Sequence, residues 1–148
     1  MELCMQGMAA EGGGDENEAK RLFRQAWDAR EDEFDACIAA HYMARHQLTA
    51  ETRVEWNERA LKHADLVADD RVSSFYPSLY LNLANSYEEL VQNDADYEDV
   101  KRARRYFALA MERAAELPAG GYADMVRTGA TAGLRRADAL LGPAGGSQ

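Results

Sequence analysis

No stretch of this chain approaches the roughly 18 consecutive apolar residues that a membrane span requires. The first residues, Met1 to Ala10, carry no lysine or arginine, so the basic start of a secretory signal is missing and a cytoplasmic location is expected. Cysteine is scarce as well. Cys4 and Cys37 are the only two, which excludes a disulfide framework, and Cys37 lies in an apolar helical pattern where it reads as a small buried hydrophobe. Positive charge is in deficit: 17 Lys and Arg against 26 Asp and Glu leave a formal charge of −9 and a pI near 4.8. Such a surface repels phosphate backbones and anionic lipid, so neither nucleic acid nor a membrane is expected as partner. The one dense basic run, Lys101-Arg102-Ala103-Arg104-Arg105, spreads around a helix at helical spacing and reads as a solvated face.

The signatures of common chemistries are missing too. There is no Gly-x-x-x-x-Gly-Lys phosphate loop, no Gly-x-Ser-x-Gly elbow and no Cys-x-x-Cys pair. None of His41, His46 and His63 has a glutamate three residues before it, as a carboxylate-bridged metal site in a helical bundle needs. His41 and His46 are five apart, on different faces of a helix, so a zinc pair is missing as well. No catalytic residue, metal ligand or cofactor is assigned.

What remains is an ordinary globular composition, 47% hydrophobic and 29% charged, which predicts a folded chain with one core. Apolar residues recur at three-to-four spacing, and breakers divide the chain into six segments of helix length. Residues 1–14, ending in three glycines, and 142–148, rich in glycine, read as flexible tails around a helical domain of 15–141. Asp15 offers an N-cap for the first helix and Thr49 for the third. Pro77 places the start of the fourth between Ser73 and Pro77, because proline is tolerated only in a first turn. Asn93-Asp94-Ala95-Asp96 ends that helix, and Pro118 with Gly120-Gly121 ends the next. The sixth runs from about Tyr122 to Leu141, with Gly129 and Gly133 four apart on one face, a spacing that points to close helix packing.

An internal repeat is present. Leu83-Ala84-Asn85-Ser86-Tyr87, followed by Ala103, Tyr106-Phe107 and Ala110-Met111, resembles the tetratricopeptide pattern of Leu and a small residue, Tyr, then Ala, an aromatic and a second Ala. Ile38-Ala39 with Tyr42, and Trp56 with Ala60-Leu61, form a looser earlier copy, in which Arg53 and Asn57 stand for Ala103 and Phe107. Tyr42 and Tyr87 are 45 residues apart, and Ala60 and Ala110 are 50 apart, against a family unit of about 34. The resemblance implies an all-α fold of about six antiparallel helices in stacked hairpins, a right-handed solenoid whose small residues permit close approach. A generic helical bundle is the plainer alternative. The Ala-, Arg- and Asp-rich usage has a bacterial look.

In that family the first helix of each pair lines a groove, and some members use an asparagine at the place of Asn85 to hold a ligand. The resemblance therefore nominates Asn85, with Asn82 and Glu89 as helical neighbours, and polar or aromatic companions Tyr80, His41 and Arg45. Cys37 and Ala40 fill the matching positions of the earlier copy and are not basic, which argues against the family's clamp for two carboxylates. The expected function is a non-enzymatic scaffold that binds a peptide, a partner protein or a second copy of itself, since a short solenoid leaves apolar ends. The alternative is a small-molecule binder or unrecognised enzyme with a polar pocket formed by His41, Arg45, Tyr80 and Asn85.

Overall fold

The computed structural model describes residues 1–93 and 96–146, with side chains up to residue 142. Among them are seven α-helices and no strand: α1 (Glu2–Gly12), α2 (Glu16–Asp28), α3 (Glu33–Ala44), α4 (Ala50–Asp65), α5 (Tyr76–Asn93), α6 (Tyr97–Ala114) and α7 (Gly121–Gly146). A 3-10 helix, Asp70–Phe75, precedes α5. No described helix is long and apolar enough to cross a membrane.

Local chemistry sets most helix starts. The side chains of Asp15, Asp32, Thr49 and Asp96 accept hydrogen bonds from the backbone N–H groups of Glu18, Asp35, Thr52 and Glu98, satisfying donors that a helix leaves open. Each such cap contributes about 1 kcal/mol. Pro77 falls in the first turn of α5, where its missing N–H costs nothing. Residues Asp94 and Ala95 of the expected break after α5 lie outside the described residues.

Three expectations need correction. The segment read as a flexible tail, 1–14, forms α1, with Cys4 and Gly7 buried, so there are seven helices rather than six. Residues 142–146 of the other expected tail are helical in backbone apart from a break at Gly142, where a φ of 70° suits glycine; residues 147–148 lie outside the described residues. Finally, where the length predicts one core, the chain gathers into two compact units, Met1–Val72 and Ser73–Gln148.

In the first unit, α1 packs on α2, α2 on α3 and α3 on α4. Phe23 of α2 is fully buried. Its ring lies flat against Tyr42, centroids 4.9 Å apart, and against His46 at 5.6 Å, both from the C-terminal end of α3 and its following turn. Gly7 of α1 closes the other side: a Cβ there would stand 2.5 Å from the ring. Trp27 and Trp56 meet edge to face at 5.0 Å and join α2 to α4, with Arg30 3.9 Å above Trp27 and Arg59 4.4 Å above Trp56.

The second unit is built on α5, α6 and α7. Tyr87 stacks on Tyr106, and Arg113 lies over Tyr76, so α5 and α6 run in opposite directions. The pairs Arg104–Asp138, Phe107–Gly133 and Met111–Thr131 set α7 antiparallel to α6. Leu81 touches Gly129 and Glu88 holds Arg136, so α7 is parallel to α5 with an offset of 48 residues. Leu81, Ala84, Ala103, Phe107, Ala110, Ala114, Val126 and Ala130 form the core. Alanines dominate because they let the helix axes approach while one aromatic ring, Phe107, fills the remaining space.

Candidate functional site

The nominated residues fall in both units. His41 lies on α3 with Arg45 at its C-cap, whereas Tyr80, Asn82, Asn85 and Glu89 lie on α5. At about 100° per residue, Asn82, Asn85 and Glu89 share one narrow arc of α5, while Tyr80 and Tyr87 point from the opposite side. Asn85 is exposed, and Asn82 and Glu89 are half-buried. The structure thus brings the three polar residues together as a row and separates Tyr80 from them. Tyr80 belongs instead to an aromatic series, 5.7 Å from Tyr76 and 6.1 Å from Tyr106 between ring centroids, and it packs against the core of the second unit.

His41 is largely shielded by its neighbours and meets Tyr42 edge on at 4.9 Å. Burial pushes its imidazole down to about 4 from an ordinary 6.5, and the nearby Arg45 guanidinium pushes in the same direction. The folded protein therefore keeps His41 neutral while the unfolded chain takes up a proton as the pH falls through 6.5. The stability attached to neutral His41 is complete above that pH and is lost progressively between 6.5 and about 4. At pH 5.5 the loss is about tenfold in the folding equilibrium, on the order of 1 kcal/mol. Urea denaturation of the native chain and His41→Gln at pH 7.5 and 5.5 checks this: the stability gap should move by that amount in favour of the variant, and an unchanged gap would refute it.

Neither cysteine is set up for chemistry. Burial, with a contribution from Asp65, pushes the Cys37 thiol up to about 12, and burial also raises Cys4, so both stay protonated at neutral pH. Among the described residues there is no group of three or more His, Cys, Asp or Glu side chains placed to hold a metal ion.

A cleft in the first unit was not anticipated. Two adjoining cavities of about 340 and 410 Å³ share Lys20, His46 and Gln47. Arg21, Phe23, Arg24 and Met43 line one, and Glu11, Glu16, Arg45 and Leu48 the other. Glu11, at the end of α1, is gripped by Arg45 at 2.7 Å and by His46 at 2.7 Å. The turn beneath is held by Gln47 donating to the Met43 carbonyl and Arg53 donating to the Gln47 carbonyl. Arg21 is satisfied by Glu18. Lys20 and Arg24, one helical turn apart on α2, have no carboxylate partner among the described residues; Arg24 lies 5.9 Å from the Trp56 ring. Of the nominated residues only Arg45 reaches this cleft. The i,i+4 pair Lys20 and Arg24 was visible in the sequence, but the cleft needs α1, whose segment read as a tail.

No protein-family model, curated protein or solved structure matches the chain.

Proposed function

We propose that this chain is a non-enzymatic interaction module, a tetratricopeptide-like arrangement of helical hairpins that binds a peptide segment of a partner protein, or of a second copy, along the α5 row of Asn82, Asn85 and Glu89. The observation that carries the reading is the alternation in the second unit: α5 and α7 lie parallel with α6 antiparallel to both. That is the order of first helix, second helix and next first helix in a two-helix repeat. The offset of 48 between Leu81 and Gly129 falls within the 45 to 50 residues that separate the repeated sequence positions. In the first unit, Glu11 of α1 meets Arg45 after α3, an offset of 34, the usual unit of the family.

The row suits binding rather than catalysis. Two amide side chains each offer donors and an acceptor, able to pair with a peptide backbone, and neither can act as a nucleophile or strong general base at neutral pH. A selection of displayed random peptides against the full chain tests the reading. A consensus sequence should emerge whose affinity falls at least tenfold in the Asn82→Ala/Asn85→Ala/Glu89→Ala variant, about 1.4 kcal/mol. No consensus, or one that binds the variant equally well, would count against it.

A further inference from the structure

The cleft at the end of α1 joins positive side chains without carboxylate partners to an apolar floor and an exposed leucine. The protein carries a net charge of −9, yet two cations without carboxylate partners, Lys20 and Arg24, stand together beside it. Among the other cations described, Arg21 pairs at short range with Glu18, Arg45 with Glu11, Arg71 with Asp69, Arg102 with Asp99, Arg104 with Asp138 and Arg136 with Glu88. At the cleft's other end Leu48 is 91% exposed, the most exposed large apolar side chain described. Between them the floor is Met43 and the buried ring of Phe23. An unneutralised positive pair, an apolar floor and an uncovered leucine within one opening match a ligand that carries carboxylates and apolar side chains together.

We infer that this cleft binds an acidic peptide segment with interspersed apolar residues, its carboxylates on Lys20 and Arg24 and an apolar side chain on Met43 and Leu48. Charge complementarity chooses the occupant. Lys20 and Arg24 give charge-assisted hydrogen bonds to carboxylates, and their aliphatic stems add apolar wall. Glu11, paired with Arg45, and Glu16 line the rest of the opening, so negative charge suits only the Lys20–Arg24 edge; a nucleic acid, with a phosphate at every nucleotide, fits less well than a peptide whose carboxylates alternate with apolar side chains. The cavity volumes suit a few side chains of an extended peptide rather than a whole helix face. The ion pair of Glu11 with Arg45 and its hydrogen bond with His46 fix α1 against the α3 end, so the opening is held in shape before a ligand arrives. The site shares no residue with the α5 row, so failure of either proposal leaves the other standing.

The test is fluorescence anisotropy of the full chain with a labelled ten-residue peptide of alternating glutamate and leucine. Its glutamine-for-glutamate counterpart and a labelled twelve-nucleotide single-stranded DNA are run alongside. The glutamate peptide should bind, the glutamine peptide at least tenfold more weakly, and raising the salt should weaken the former selectively. Lys20→Glu/Arg24→Glu should lose at least tenfold in affinity, Leu48→Ser severalfold, and Asn82→Ala/Asn85→Ala nothing. Circular dichroism melts of these exposed-site variants establish that each is folded; Lys20→Glu alone serves if the double variant is not. The inference is overturned if the glutamate peptide does not bind, if the charge-reversed variant binds it as well as the native chain, or if the DNA binds as tightly. It is also overturned if light scattering finds a dimer that the Lys20→Glu variant dissolves, since the cleft would then be filled by a second copy.

Discussion

A chain that begins at Asp15 is expected to be less stable than the full chain by roughly 3 kcal/mol. The reason is Phe23, whose ring is fully buried with Gly7 of α1 against it. Removing α1 returns one face of that ring to water, and uncovering a phenylalanine side chain costs about 1.5–3 kcal/mol. Glu11 leaves with α1, so Arg45 and His46 lose their common carboxylate. That term is modest, because Arg45 is half exposed and a pair of this kind contributes up to about 1 kcal/mol. Urea titration of the two chains measures the difference. Equal midpoints would mean that residues 1–14 contribute nothing to the first unit.

The second large effect is expected at Gly133, and its contrast with Gly129 makes it diagnostic. Both lie inside α7, where alanine is favoured over glycine by about 1 kcal/mol. At Gly129 a Cβ would stand 3.3 Å from a terminal methyl of Leu81, which can rotate away. Gly129→Ala should therefore be neutral or stabilising by up to about 1 kcal/mol. At Gly133 a Cβ would overlap three atoms of the Phe107 ring, which is fully buried and rigid. Gly133→Ala should cost about 2 kcal/mol net, since overpacking of this kind outweighs the gain in helix propensity. Adding Phe107→Leu to Gly133→Ala should recover part of the loss, because the smaller side chain admits the methyl. Equal effects of the two alanine substitutions in thermal melts would refute this account of the α6–α7 contact.

These two predictions mark how far the sequence could be read. Gly129 and Gly133 are recognisable as a close-packing pair from their spacing, but which one carries the contact depends on where Phe107 lies on α6, 26 residues from Gly133. The row of Asn82, Asn85 and Glu89 was legible because helical geometry alone puts the three on one side of α5. The same geometry places Tyr80 on the other side. His41 and Arg45 turn out to serve the first unit: His41 is half-buried and held neutral beside Tyr42, and Arg45 is engaged by Glu11. Tyr97, in the first turn of α6, is exposed and lies under Lys101 at 4.9 Å.

What the sequence by itself determined is the helical class, six of the seven helices and several of their starting points. The caps at Asp15 and Thr49 and the placement of Pro77 follow from chemistry confined to three or four neighbouring residues. Tertiary structure alone decided the rest: that residues 2–12 are helical, that the contacts gather into two units, and that Lys20, Arg24 and Leu48 border one cleft. The physical reason is shared. The helix α1 has no apolar stripe to announce it, and of its two buried residues, Cys4 and Gly7, the second acts through the lack of a side chain fitted to a ring 16 residues away. Glu11 likewise finds Arg45 and His46 at a separation that no local pattern encodes.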